Sequence, residues 1–118
     1  MREILFRGKR VDNGEWVYGT LIQRNIWGDV WEVIPETVGQ YTGLKDKNGV
    51  KVFDGDVVEC ISTWDKANMV VIFEDGEYRL VLCDKYKNYT PGSGYYSIGC
   101  FDKNIIGNIH DNPELMDG

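Results

Sequence analysis

An all-β domain, mainly antiparallel and barrel-like or sandwich-like, with at most one or two short helical turns, is the fold this sequence predicts. Three observations predict it. Glycine-containing turn signals recur along almost the whole chain, and the stretches between them are rich in Val, Ile, Tyr, Trp and Phe. No window of a dozen residues places apolar side chains at the three-to-four spacing of an amphipathic helix.

The elements follow in chain order. Asn13-Gly14 is a turn ahead of a strand over 15–23, in which Trp16, Tyr18, Thr20 and Ile22 share one face. Trp27 and Trp31 flank a turn at Gly28-Asp29. Asn48-Gly49 is a reversed-turn dipeptide, and Asp54-Gly55-Asp56 is a second turn that launches a strand over 57–62. The clearest hairpin joins 69–73 to 78–82 through Asp75-Gly76, with Tyr78, Leu80 and Leu82 alternating against Arg79 and Val81. With the Trp27-Gly28-Asp29 turn these five turns call for at least six strands. The segment 85–96 mixes Lys, Tyr, Gly and Pro without alternation and reads as the longest loop. Asn112-Pro113-Glu114-Leu115 carries the signals of a helix start: a cap residue, a proline at the first position and an acid in the first turn.

A chain of 118 residues, 42% hydrophobic and 27% charged, is sized and composed for one packed core, and 1–118 reads as a single domain. Thirteen Lys and Arg against nineteen Asp and Glu leave a net charge of −6, which repels polyanions unless basic residues gather on one face. After Arg2 and Glu3 only three apolar residues, Ile4, Leu5 and Phe6, come before Arg7, too few for a secretory signal, and no apolar run approaches a membrane span. Cys60, Cys83 and Cys100 are odd in number and widely spaced, without a C-x-x-C pair, so reduced thiols and a cytoplasmic setting are expected. Cys60 and Cys83 stand inside apolar runs, as packing residues do.

Chemistry is thinly signalled. Asp54 and Asp56, at i and i+2, could face one side of a turn as a carboxylate pair, but turn-forming aspartates are far commoner than ligands, and no metal is expected. His110 is the single histidine, set between a strand end and the short helical turn, and reads as a surface or capping residue. Gly43, Gly49 and Gly55 recur every six residues and fit neither a dinucleotide fingerprint nor a phosphate loop, so no cofactor is expected and no catalytic residue is assigned. Four tryptophans are a generous supply of interface anchors. Trp16 and Trp64 read as core, while Trp27, beside polar Arg24, Asn25 and Asp29, reads equally as an exposed interface anchor or a hydrophobic lid, with Trp31 across the turn as the other candidate for that surface. In 85–96, Tyr86, Tyr89 and Tyr95 could stack bases while Lys85 and Lys87 meet phosphates. Two lysines in an acidic chain make a subunit contact or a mobile loop the plainer reading.

Two stretches are more specific. The first is Gln40-Tyr41-Thr42-Gly43-Leu44-Lys45-Asp46-Lys47-Asn48-Gly49 followed by Val52-Phe53-Asp54-Gly55-Asp56-Val57-Val58. The second is Ile106-Gly107-Asn108-Ile109-His110-Asp111-Asn112-Pro113-Glu114-Leu115. With Ile4-Leu5-Phe6-Arg7-Gly8 and Trp16-Val17-Tyr18-Gly19 they resemble the YopX family of phage and prophage proteins over nearly the whole chain. The departure is mild, Val52-Phe53-Asp54-Gly55-Asp56-Val57-Val58 standing where Ile-Tyr-Glu-Gly-Asp-Ile-Val is expected. The resemblance implies a β-rich fold and a gene carried by temperate phage of Gram-positive bacteria, and it implies no activity. The turns Asn48-Gly49 and Asp54-Gly55-Asp56 account for the motif structurally, although a Gly-Asp-Val-Val strand start also occurs in small barrels that bind nucleic acid.

Three functions are compatible with these residues. One is a non-enzymatic protein-interaction or assembly module, able to form homo-oligomers, that docks an unidentified host or phage protein and touches no membrane. The second is linked to nucleic acid, either by single-strand binding through 85–96, favoured if Lys45, Lys47, Lys51, Lys85 and Lys87 segregate together, or by an acidic face that mimics DNA. The third is a hydrolase using Asp54, Asp56 or His110, which needs a pocket joining them.

Overall fold

The computed structural model describes residues 4–19, 26–27, 31–61, 66–92, 94–99 and 102–116, with the side chains of 26, 27 and 31 outside the description. The chain is mainly antiparallel β, as the sequence predicts. Among the described residues it forms β1 (Phe6–Lys9), β2 (Trp16–Gly19), β3 (Ile26–Trp27), β4 (Trp31–Glu32), β5 (Gly39–Lys45), β6 (Lys51–Phe53), β7 (Asp56–Ile61), β8 (Lys66–Glu74), β9 (Glu77–Leu82), β10 (Tyr95–Ser97) and β11 (Asp102–Asn108). One helical turn, α1 (Cys83–Tyr86), and the 3-10 turns Pro35–Thr37 and Pro113–Met116 complete it. One sheet runs β2-β1-β5-β6, a second runs β10-β9-β8-β7-β11, and β3 pairs with β4.

The hairpin β8–β9 forms where Asp75-Gly76 places it, with φ of +52° and +80° at those two residues, so both adopt the left-handed conformation that a two-residue reversed turn needs. Its register sets Val71 opposite Leu80 and Val70 opposite Val81. Period-2 alternation then gives the second sheet two apolar faces. On one, Val58, Cys60, Met69, Val71 and Leu80 pack with Val52 of β6. On the other, Val57 and Val70 pack with Cys83 of α1 and Met116 of the last 3-10 turn, bordered by Tyr86, Ile109 and Leu115. The sheet is thus a middle layer, and this placement separates the lysines. Lys45 and Lys51 lie on the β5–β6 hairpin, which supplies Val52 to one face, whereas Lys85 and Lys87 lie in and just after α1, which covers the other.

One local reading changes. The segment 85–96 is not one loop: it begins within α1 and ends in β10, which pairs with β9 through Tyr95 opposite Val81. Glu74 organises the stretch between them, its carboxylate accepting from the Tyr89 hydroxyl at 2.7 Å, the Gly92 N–H at 3.0 Å and the Arg79 guanidinium. Two ordering elements separated by a side-chain-held turn leave no alternation for a sequence pattern to register. The turn predicted at Asn112-Pro113-Glu114-Leu115 forms over Pro113–Met116, the Leu115 N–H donating to the Asn112 carbonyl at 3.1 Å while the Asn112 side-chain oxygen accepts from the Asn108 N–H at 3.2 Å. The predicted strand over 15–23 is seen as Trp16–Gly19, with 20–25 outside the described residues, where Thr20 and Ile22 also fall. Trp64 and Cys100 fall there too.

Cys60 and Cys83 are free and buried, as packing residues should be. Burial pushes both thiols up to about 11, which keeps them protonated and unreactive at neutral pH.

Candidate functional site

Strand β1 carries Leu5 just before it, then Arg7 and Lys9, on one side, and the opposite side faces Val33, which sits 3.1 Å from where a Gly8 Cβ would stand. Across β2, Tyr18 lies opposite Arg7 and Trp16 opposite Lys9. The β6–β7 corner, Phe53-Asp54-Gly55-Asp56, meets this face. Gly55 turns it with φ +93° and donates its N–H to the Val71 carbonyl at 2.9 Å, while its carbonyl accepts from Ile109 at 2.9 Å.

Arg7 is the centre of the arrangement. Its Nη2 lies 2.7 Å from Asp56 Oδ1, with the two side chains 8% and 3% exposed, and reaches the Asp54 carbonyl at 3.4 Å. Asp56 Oδ2 accepts the Phe53 N–H at 2.7 Å. The guanidinium stacks between the rings of Trp16, 4.6 Å away, and Phe53, 4.9 Å away. Among the described residues its buried Nε has no hydrogen-bond partner. Burial pushes the Asp56 carboxyl above the usual carboxylate range, while Arg7 and the Phe53 N–H pull it down.

Beside the ion pair, Leu5, Tyr18, Val50, Phe53 and Ile105 wall an open pocket of about 380 Å³, with Arg7, Asp56 and Lys51 as its charged members. The volume lies at the small end of the range for ligand pockets. Lys51 also places its ammonium over the Tyr41 ring at 5.5 Å. The Ile105 wall is held by Asp46, whose carboxylate accepts from the Val50 and Asn48 N–H groups at 2.9 Å and from Ile105 at 3.1 Å. Desolvation works against that charge, but the three donors together hold the Asp46 carboxyl below its usual range.

The segment after β11 closes the other side. Asp111 ion-pairs with Lys9 and accepts the Trp16 indole N–H at 2.9 Å. His110, expected as a surface or capping residue, is half-buried with its ring 5.9 Å from that of Trp16. Burial first and then Arg7 lower its pKa, so it is neutral at physiological pH. The reason is tertiary: the turn that follows β11 folds back onto the β1–β2 hairpin. Asp54 stands alongside with its carboxyl raised to about 6 by burial, an effect that Asp56 reinforces and Arg7 opposes.

Asp54 predicts a pH signature. A folded-state pKa of about 6 against the ordinary value of 3.8 means the folded protein holds a proton that the unfolded chain has released, so this group's contribution to stability is lost as pH rises from about 4 through about 6. Asp54→Asn should therefore unfold at higher urea than the native protein at about pH 7.5, by up to ~3 kcal/mol, and show little difference at about pH 4. His110 has the opposite sign but is common to both proteins. The same gap at both pH values would show that Asp54 titrates normally.

Of the residues singled out from sequence, Asp54, Gly55 and Asp56 belong to this site. Asn48 and Gly49 shape the hairpin tip beside it: Gly49 has φ +82°, and the Asn48 side chain donates to Asn104 at 2.8 Å. The aromatic and basic set is elsewhere. Tyr86 is half-buried over the second core cluster, Tyr89 is bound to Glu74, and Tyr95 lies under the Arg79 guanidinium at 3.9 Å, while Lys85 and Lys87 are exposed. Trp27 and Trp31 are register partners across β3 and β4. Among the described residues, no three His, Cys, Asp or Glu side chains are grouped to hold a metal, and no helix is long and apolar enough to cross a membrane.

Sequence reasoning missed Arg7, Leu5, Val50, Lys51 and Ile105 as a set. The available signal was a charged residue sharing strand parity with inward Leu5. The four segments that carry the family resemblance all meet here: Arg7 pairs with Asp56, Ile109 bonds to Gly55, and Trp16 bonds to Asp111.

The solved structure of protein EF1440 from Enterococcus faecalis is similar, with a TM-score of 0.57 at 22% identity over 98% of this chain and 99% of that one. At that identity the likeness is one of fold alone. No curated protein has a significantly similar sequence. The family model described as YopX protein matches residues 22–117, most of the chain, with Arg7 and Trp16 lying just before the matched stretch. With the converging motifs and the match together, the chain belongs to the YopX family.

Proposed function

We propose that this chain is a phage or prophage accessory protein of the bacterial cytoplasm that acts by docking a host or phage protein, without catalysis, and that the pocket beside Arg7 is the docking point. Family membership supports the setting. The observation that supports docking is the rim: Tyr18 and Val50, both in the pocket wall, are 56% and 53% exposed. Large apolar side chains grouped around a concavity mark interaction sites. Direct nucleic-acid binding has less to support it, because the lysines divide between the two sides of the middle sheet and two of the three loop tyrosines are partly buried in the fold.

The test is a pull-down of tagged protein from lysate of phage-infected host, with and without nuclease, comparing native protein with Val50→Glu. One protein enriched by the native chain, resistant to nuclease and at least tenfold depleted with Val50→Glu, is the expected result. Enrichment abolished by nuclease would replace docking with nucleic-acid binding.

A further inference from the structure

We infer that this chain pairs with a second copy of itself at the β10 end of the five-stranded sheet, each copy laying Tyr96 into a groove on the other. The surface is separate from the docking pocket, for the groove and the pocket beside Arg7 share no lining residue. Residues 88–101 carry no charged side chain in a chain that is 27% charged. Strand β10 lies within them. It is the last strand of its sheet among the described residues, and Tyr95, Tyr96 and Ser97 are all exposed. Tyrosine with few charges is the composition of an interface centre. The other end of the sheet is closed off. At β11 the Lys47 N–H donates to the Lys103 carbonyl at 2.9 Å, the Ile105 N–H donates to the Asp46 carboxylate at 3.1 Å, and a bulge breaks the register between Ile105 and Gly107. Covering and bulging keep a sheet edge from pairing. Strand β10 instead presents two aromatic side chains, 38% and 42% exposed, with Tyr95 held under the Arg79 guanidinium.

A second copy is the occupant that fits, because knob and groove stand on one face of one edge. Register sets Tyr96 opposite Leu80, and Leu80 belongs to the first core cluster, so Tyr96 stands on that face of the sheet. Ile98 packs against the same cluster. There a groove of about 520 Å³ opens, walled by Leu44 of β5, by Phe73 and Tyr78 of the β8–β9 hairpin, and by Ile98. A two-fold axis through Ser97, with the β10 strands antiparallel, keeps the same face uppermost in both copies. Each Tyr96 then lies opposite the other copy's Ile98, at the mouth of its groove. The fit is reciprocal, as a closed dimer requires. Charge agrees with it: each copy bears −6, and an approach through the uncharged stretch sets no like charges opposite one another. The acid that lines the groove, Glu77, is paired with Arg79 Nε at 2.7 Å.

Sedimentation equilibrium of the full chain, from micromolar to millimolar concentration, tests this. The native protein should pass from 13.5 kDa to twice that mass and go no further. Tyr96→Lys should weaken association at least tenfold, since a two-fold interface loses the anchor twice and buries a charge in its place. Phe73→Lys, in the groove wall and 55% exposed, should also weaken it, while Val11→Lys, equally exposed but outside the groove, should leave it unchanged. All three side chains are exposed, so urea midpoints near the native value will show that each variant is folded. A monomer at every concentration, a mass that climbs past the dimer, or association left intact by both Tyr96→Lys and Phe73→Lys would overturn the inference. Equal weakening by Val11→Lys would overturn it too, since no particular surface would then be involved. None of these outcomes bears on docking, which is judged by whether Val50→Glu loses the captured protein.

Discussion

Replacing Asp56 with alanine will lower the free energy of unfolding by about 3–5 kcal/mol, the cost of leaving a buried charge without its counterion. Asp56 is 2% exposed and Arg7 6% exposed, so water cannot solvate the guanidinium that remains. The Phe53 N–H loses its acceptor in the same stroke. The double change Arg7→Met with Asp56→Asn should recover most of the loss. Methionine fills the slot between Trp16 and Phe53, asparagine keeps an oxygen for Phe53, and no charge stays buried. Urea denaturation of the three proteins at one pH decides the matter. A cost below about 1 kcal/mol for Asp56→Ala, the range of exposed pairs, would show that water reaches the site.

Leu80→Ala should cost roughly 2–5 kcal/mol by a different route. Leu80 is fully buried in β9, packed with Val52, Val58, Cys60, Met69 and Val71, and β9 lies between β8 and β10, leaving little room to collapse into the space. The loss combines the transfer term of the deleted carbons with the cavity they leave. Leu80 is not among the side chains that line the pocket, so at a temperature where the variant is folded its affinity for a pocket ligand should be unchanged. Val50→Glu should do the reverse, abolishing docking while leaving the unfolding midpoint within about 0.5 kcal/mol, as surface substitutions do. A Leu80→Ala protein as stable as the native one would mean that the middle sheet is not packed as described.

Much of the fold was legible because β structure announces itself locally. Asp75-Gly76 marks its hairpin, Asn48-Gly49 and Asp54-Gly55 mark their turns, and the parity of Tyr78, Leu80 and Leu82 identifies the face that packs. The site was not legible for the complementary reason. Arg7 and Asp54 are 47 residues apart, and Trp16 and Asp111 are 95 apart, so no window of sequence contains both halves of either contact. Asp56 reads as a turn residue locally, and it is one; that its carboxylate also neutralises an arginine from another strand is a tertiary fact. The contact that half-buries His110 was hidden for the same reason, since the Trp16 ring beside it comes from β2. Short-range pattern did fail once where it should have worked, in 85–96, because Glu74 does from outside the segment what alternation would have done within it.

The distances along the chain between these partners also impose an order of events. Lys9 and Trp16 close the site by reaching Asp111, 102 and 95 residues further on, and Ile105 stands at a comparable remove from Leu5. During synthesis Arg7 meets Asp56 once β7 has been made, but one wall of the pocket and the latch across it arrive only with β11 and the turn that follows. Long-range closures of this kind form late and slowly. On the docking reading, a partner that recognises the finished pocket would engage only copies whose chain has folded from β1 through the Asn108 to Asp111 turn, and docking would itself be a checkpoint for completed folding.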